Sequence, residues 1–302
     1  MSGAGDDDRP GLVDRAASAL FQGLMAGARL IPYERRIPMV GWVFSRLLAP
    51  LAGWPARIRA NLALARPDLA PAEVARLCRA VPDNAGRAMA EIYSGAEFTS
   101  RIRAADILEG AGVPTLEAAA ADGRPVIIAC AHFGNYDAMR AALSARGWPV
   151  GALYRPMNNA AFNRHYIPAM EAIAQPIFPR GRQGVGQMLR YLRGGGWLCL
   201  GFDQYIRDGA TLRFFGLPTE TVLTPAELAL RHDAPLVPVH AVRQPDGLSF
   251  RVHALAPIPP SDAETMMQSL NDGLEALTRA HMDQWFWVHR RWKPPRKKAG
   301  PA

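Results

Sequence analysis

From Arg124 onward the chain alternates short apolar runs with amphipathic stretches, and this rhythm limits the possible folds more than any other feature. "RPVIIACAH" is a buried-strand run, "YDAMRAALSARG" a helix ended by Gly147, "PVGALYRP" a second strand and "NAAFNRHYIPAMEAI" a second helix. The alternation continues through the strand "PIF", the helix "GVGQMLRYLRGG", the strand "WLCLGFDQ", the short strand "TLRFFG", the helix "TPAELALRHD" and the strands "PLVPVHAVRQ" and "LSFRVHAL". Alternation at these lengths predicts an α/β domain with a mostly parallel central sheet flanked by helices. A last helix is expected over about Ser261 to Trp285, where Met267, Leu270, Leu274 and Leu277 recur at helical spacing. No repeat or low-complexity linker interrupts this region.

The N-terminal part has a different character. Its acidic opening, "MSGAGDDDRP", is unlike the cationic start of a secretory signal. "AASALFQGLMAGA" holds 13 uncharged residues, short of the roughly 20 that a spanning helix needs. "IPMVGWVFSRLLAPLAGWPA" is interrupted by Arg46, Pro38, Pro50 and Pro55. Between Arg29 and Arg66 stand seven arginines and one acid, Glu34, and between Arg290 and Lys298 six basic residues and no acid. These two segments carry +6 each, so a net charge of +8 leaves −4 for the rest of the chain. Basicity at the ends fits contact with an anionic partner. Trp42, Phe44, Leu47, Leu48, Leu51 and Trp54 among arginines have the composition of a membrane-interfacial segment, and helices packed on the protein's own core would show the same pattern. The expected organisation is a helical, membrane-interfacial segment over 1–66, an α/β domain over 67–292 and a basic tail over 293–302.

Open α/β sheets bind ligands at the carboxyl ends of their strands. His132 follows the first strand, Arg155 the second, and Asp203 with Gln204 the fourth. His132 and Asp137 lie five apart in "HFGNYD". With seven histidines and 27 acids in 302 residues, chance alone supplies roughly 0.6 such pairs. On a helix, residues five apart do not face one another, but a strand, turn and helix can join them through Gly134 and Asn135. The carboxylate would then hold the imidazole tautomer while the other ring nitrogen takes a proton. A lone histidine at a strand end is also a common structural residue. Cys78, Cys130 and Cys199 have no CxxC spacing, which disfavours a disulfide framework or zinc site. His240 and His253 sit in strand runs and read as structural, and His165, His232, His281 and His289 lack ligand spacing. No metal or nucleic-acid motif is present, nor a G-x-S-x-G elbow.

In order, "HFGNYD", "YRPMNN", "PRGRQG", "GFDQ", "FFG", "APLVPVHAVR" and "QWFWVHRRW" resemble the lipid A lauroyl/myristoyl acyltransferases of the lysophospholipid acyltransferase superfamily. The resemblance covers nearly the whole chain. It implies a glycerol-3-phosphate acyltransferase-like fold and an enzyme without a cofactor. It also implies that His132 deprotonates an acceptor hydroxyl, with Asp137 orienting it, for direct attack on an acyl thioester. Arg155 and Arg182 match arginines expected to bind phosphate of the acceptor or phosphopantetheine of the donor. Asp203 and Gln204 are expected with these arginines among the substrate-binding positions, and Asp203 also matches an acidic position that rivals Asp137 as the histidine's partner. The donor is expected to be acyl carrier protein or acyl-CoA, and the acceptor a lipid, first of all a lipid A precursor. The setting is an anionic membrane surface at the cytoplasmic face of a bacterial inner membrane, held peripherally or by the N-terminus. A lysophospholipid or phosphatidylinositol mannoside-type acceptor, and a non-catalytic membrane-binding relative, remain as alternatives.

Overall fold

The computed structural model describes residues 11–293, so the acidic opening and the last nine residues of the basic tail lie outside the described residues. The chain opens with α1 (Leu12–Ala28) and α2 (Tyr33–Val43), a π-helical turn over Phe44–Leu48, the short α3 (Ala49–Leu51) and α4 (Trp54–Ala65). Pro50 and Pro55 stand in the first turns of α3 and α4, where the missing N–H would have had no helical partner. Then come α5 (Pro71–Ile92), α6 (Ala96–Ala105), β1 (Leu108–Glu109) and α7 (Val113–Ala121).

The expected alternation follows as β2 (Val126–Cys130), α8 (Tyr136–Ala145), β3 (Val150–Tyr154), α9 (Ala160–Glu171), β4 (Ile177–Pro179), α10 (Arg182–Arg193) and β5 (Trp197–Gly201). A hairpin of β6 (Ala210–Phe214) and β7 (Leu217–Thr221) precedes α11 (Thr224–Arg231), β8 (Leu236–Arg243), β9 (Phe250–Ala254) and α12 (Ala263–Ala280). The main sheet runs in the order β1-β9-β8-β2-β5-β3-β4. Every neighbouring pair in it is parallel except β8 with β9.

β2 is buried at every residue because helices cover both faces of the sheet. Its side chains divide by parity. Val126, Ile128 and Cys130 join one core with Met25, Ile37 and Val40, while Ile127 and Ala129 join the opposite core with Ile58, Leu62, Trp285 and Trp287. The N-terminal helices thus contribute to both layers. They also leave Leu12, Leu20, Leu30, Trp42, Leu47 and Leu51 at the surface. No helix among the described residues is long and apolar enough to cross a membrane.

The last helix stops at Ala280, short of the expected Trp285. Beyond it Trp285 and Trp287, two apart, are both fully buried, a period that a helix cannot serve. Residues 281–293 instead form a non-helical strap of successive turns across the carboxyl end of the sheet, and Trp285 bridges to Phe133 in antiparallel fashion.

Candidate active site

β2 and β5 pair in parallel with Cys130 opposite Gly201. Two residues further on, the same register brings His132 beside Asp203. The Asp203 carboxylate receives the His132 backbone N–H at 3.0 Å and its ring Nδ1 at 2.9 Å. It also receives the Trp285 indole N–H at 3.0 Å. Asp203 is fully buried. Burial pushes its pKa up, yet the facing His132, through charge and hydrogen bonds, holds it well below the ordinary carboxylate value. For His132, burial pushes the pKa down and the Asp203 charge and hydrogen bond outweigh it, for a net rise. With 33% of its side chain exposed, His132 still has an open face.

On that face stand Gln204 and a second histidine. The Gln204 amide Nε2 donates to Nε2 of His132 at 3.2 Å and to Nε2 of His289 at 2.9 Å. The two imidazole rings meet edge to face, their centroids 4.8 Å apart. Both Nε2 atoms therefore present lone pairs, and His132 carries its proton on Nδ1, toward Asp203. Burial first, then the neighbouring His132, lowers the His289 pKa to about 4 and keeps its ring neutral.

The strap delivers His289. Phe286 N–H donates to the His132 carbonyl at 2.9 Å, and Gly134 N–H to the Gln284 carbonyl at 2.9 Å. From the other side, the Asn61 amide on α4 holds the carbonyls of Trp287 and His289 at 2.6 and 2.7 Å. Arg291, fully buried, donates to the Gln204 carbonyl at 2.9 Å and so fixes the backbone beneath the amide. Spacing could not single out His289 in the sequence, because a strap joins the site at one point and leaves no ligand period. Its one signal there was membership of the "QWFWVHRRW" run.

Asp137 stands elsewhere. It lies in the first turn of α8, and Asn135 caps that helix by accepting the Asp137 N–H at 2.9 Å. The Asp137 carboxylate bonds to Arg140, one turn along, and both side chains are buried. Burial raises its pKa against the pull of Arg140. Arg155 follows β3, one strand beyond β5, and donates to Asn158 at 3.1 Å. Arg182 opens α10 just after β4. Both arginines are exposed and share the carboxyl rim of the sheet with His132 without a hydrogen bond to it or to Asp203. Among the described residues no three His, Cys, Asp or Glu side chains converge to hold a metal ion.

A row of rings leads away from His132. His289 contacts Phe286 at 4.8 Å between centroids, and Phe286 contacts Trp54 at 5.2 Å. Trp54 opens α4, close in sequence to the exposed Leu51.

The chain is similar to phosphatidylinositol mannoside acyltransferases from two strains of Mycobacterium tuberculosis, CDC 1551 and H37Rv, with 26% identity over 248 residues, 80% of this chain and 78% of each relative. A phosphatidylinositol mannoside acyltransferase of Mycolicibacterium smegmatis is 26% identical over 174 residues, 56% of this chain and 57% of that one. The family model described as bacterial lipid A biosynthesis acyltransferase matches residues 13–294. With the match running from α1 through the strap, the chain belongs to the bacterial lipid A biosynthesis acyltransferase family and is an acyltransferase.

Proposed function

We propose that the protein moves a fatty acyl chain from an acyl thioester, on acyl carrier protein or coenzyme A, to a hydroxyl of a sugar-bearing lipid, with His132 as general base and Asp203 as its orienting partner. The observation that carries this reading is the Nδ1 bond of His132 to the buried Asp203, which leaves Nε2 as an outward-facing lone pair. The acceptor O–H gives its proton to Nε2 as its oxygen attacks the thioester carbonyl carbon. The tetrahedral intermediate collapses, the C–S bond breaks, and the imidazolium returns the proton to the leaving thiolate, giving an ester and a free thiol. Asp203 stabilises the transient imidazolium. Gln204 caps the same lone pair at rest, so the acceptor hydroxyl must displace its amide, and His289 offers the displaced amide a second acceptor.

The family description supports a lipid A precursor as acceptor, and the names of the relatives support a phosphatidylinositol mannoside. Either would present its hydroxyl on a large glycolipid, with phosphate in reach of Arg155 and Arg182. The ring row from His132 to Trp54, together with the exposed Leu47 and Leu51, supports an acyl path toward an interfacial N-terminal segment on an anionic membrane. In this reading the protein works at the cytoplasmic face of the inner membrane.

The test is the pH profile of kcat/KM for purified variants. His132→Ala should lose about 10² to 10⁴-fold, the usual contribution of a positioned base. The wild-type rate should rise with pH as His132 loses its proton, with an inflection above the ordinary histidine value. In Asp203→Asn the negative charge that raises the His132 pKa is gone and burial remains, so the rate should fall and the inflection move to lower pH. Asp137→Asn should leave the inflection in place. Full activity in His132→Ala, or an inflection that moves with Asp137 and not with Asp203, would overturn the assignment.

A further inference from the structure

A second concavity, lined by none of His132, Asp203, Gln204 or His289, opens between α5, the π-helical turn and the loop from β8 to β9. It encloses about 710 Å³, and its walls carry Arg46, Arg76, Arg79, Arg87 and Arg243 beside the half-exposed Trp42. Three of these charges are already answered. Arg87 pairs with Asp83, Arg76 with Glu73, and Arg243 with the buried Glu91. The side chains of Arg46 and Arg79 make no hydrogen bond or ion pair among the described residues, and the same holds for Arg59 in an adjoining hollow that shares Arg46 and Arg79.

A lone surface arginine is content in water. Two carboxylates, Asp83 and Asp283, also line the cleft, but each is engaged by another arginine, Arg87 and Arg76, so Arg46 and Arg79, with Arg59 in the adjoining hollow, repel one another and create a positive potential that a bound anion would relieve. The volume suits a small ligand or a lipid headgroup, since binding clefts span about 300 to 1,000 Å³. Guanidinium forks match phosphate oxygens in pairs.

The back wall joins this cleft to the catalytic turn. The Gln284 side chain brackets the backbone of Arg243, accepting its N–H and donating to its carbonyl, each at 2.8 Å. The Gln284 carbonyl takes the Gly134 N–H at 2.9 Å. Asn84 accepts from Arg243 Nε at 2.7 Å and donates to the Gly134 carbonyl at 3.2 Å. A ligand seated here would rest on the residues that brace the turn carrying His132.

We propose that this cleft is a binding site for a phosphate-bearing ligand, separate from the His132 centre and braced against it through Gln284 and Asn84. The proposal stands whether or not His132 is the base.

The experiment uses the full chain in two arms: calorimetric titration with inorganic phosphate, and flotation with phosphatidylcholine vesicles with or without phosphatidic acid. Arg46→Ala/Arg79→Ala removes two side chains that bond to nothing in the fold, and thermal unfolding checks that it stays intact. Arg190→Ala/Arg193→Ala, on the last turn of α10, removes the same charge elsewhere. Binding in the phosphate arm identifies a small phosphorylated ligand, and binding only to phosphatidate vesicles identifies a lipid headgroup. In either case the cleft variant should bind at least tenfold more weakly while the α10 variant binds like wild type. No binding in either arm, or equal loss in both variants, would overturn the proposal.

Discussion

Gly134 turns with φ near 55°, and a Cβ built on it would lie 2.0 Å from the carbonyl oxygen of Ala241. That oxygen belongs to β8, buried along its whole length, and has little room to retreat. Any L side chain at this position also meets the left-handed penalty of about 1–2 kcal/mol. Gly134→Ala is therefore expected to lose more than about 2 kcal/mol in urea unfolding, with transfer activity falling along with it; a variant as stable and active as wild type would show that the turn tolerates a side chain. At this scale much of the candidate site was legible. His132, Arg155, Asp203 and Gln204 could be placed after strands because apolar runs end where polar residues begin. The neighbour of His132 could not be read, because the answer depends on strand order: β5 inserts beside β2, and residues 71 positions apart become adjacent while Asp137, five positions away, turns to Arg140.

Among the elements, the strap over 281–293 has no sequence period of its own, and it was expected to be helix as far as Trp285. What holds it in place is hydrogen bonding to distant backbone and the burial of Trp285 and Trp287 in one core. The hairpin of β6 and β7 was half legible. Its two-residue turn, Phe215 and Gly216, takes positive φ at both positions, a turn that Asn-Gly normally announces and Phe-Gly does not. β1, two residues long, is too short to show any pattern. Asn61 tests the strap directly. Asn61→Ala leaves the carbonyls of Trp287 and His289 without their donor, at a cost of about 1–3 kcal/mol for each buried group. We expect a lower Tm together with reduced kcat, because His289 loses its mooring. Asn61→Ala with unchanged Tm would mean that packing of the tryptophans alone secures the strap.

For the molecule as a whole, the α/β class was legible because the rhythm of the chain reports the layers directly. The N-terminal helices were ambiguous, since the same leucines and tryptophans suit a core or an interface, and these helices bury some apolar side chains and leave others exposed. Stability against acid is a property of the same scale. His240 is buried in β8, and burial lowers its pKa to about 4. The unfolded chain takes up that proton near pH 6.5 and the folded one resists until about 4, so stability falls as pH drops through this window. His132, with a raised pKa, works in the opposite sense. Between pH 7 and 5 the His240 contribution amounts to about 2 kcal/mol, and His240→Gln should show a correspondingly shallower loss in denaturant titrations; parallel curves for the two proteins would exclude it. The strap has one more consequence, which concerns time. A ribosome makes roughly 5–20 residues per second, so His132 waits on the order of ten to thirty seconds before Arg291 is even joined to the chain. Asp203 joins 71 residues after His132, and the indole, the second histidine and the anchor under Gln204 follow only with residues 285–291, so the surroundings of His132 are complete only once residue 291 has been added.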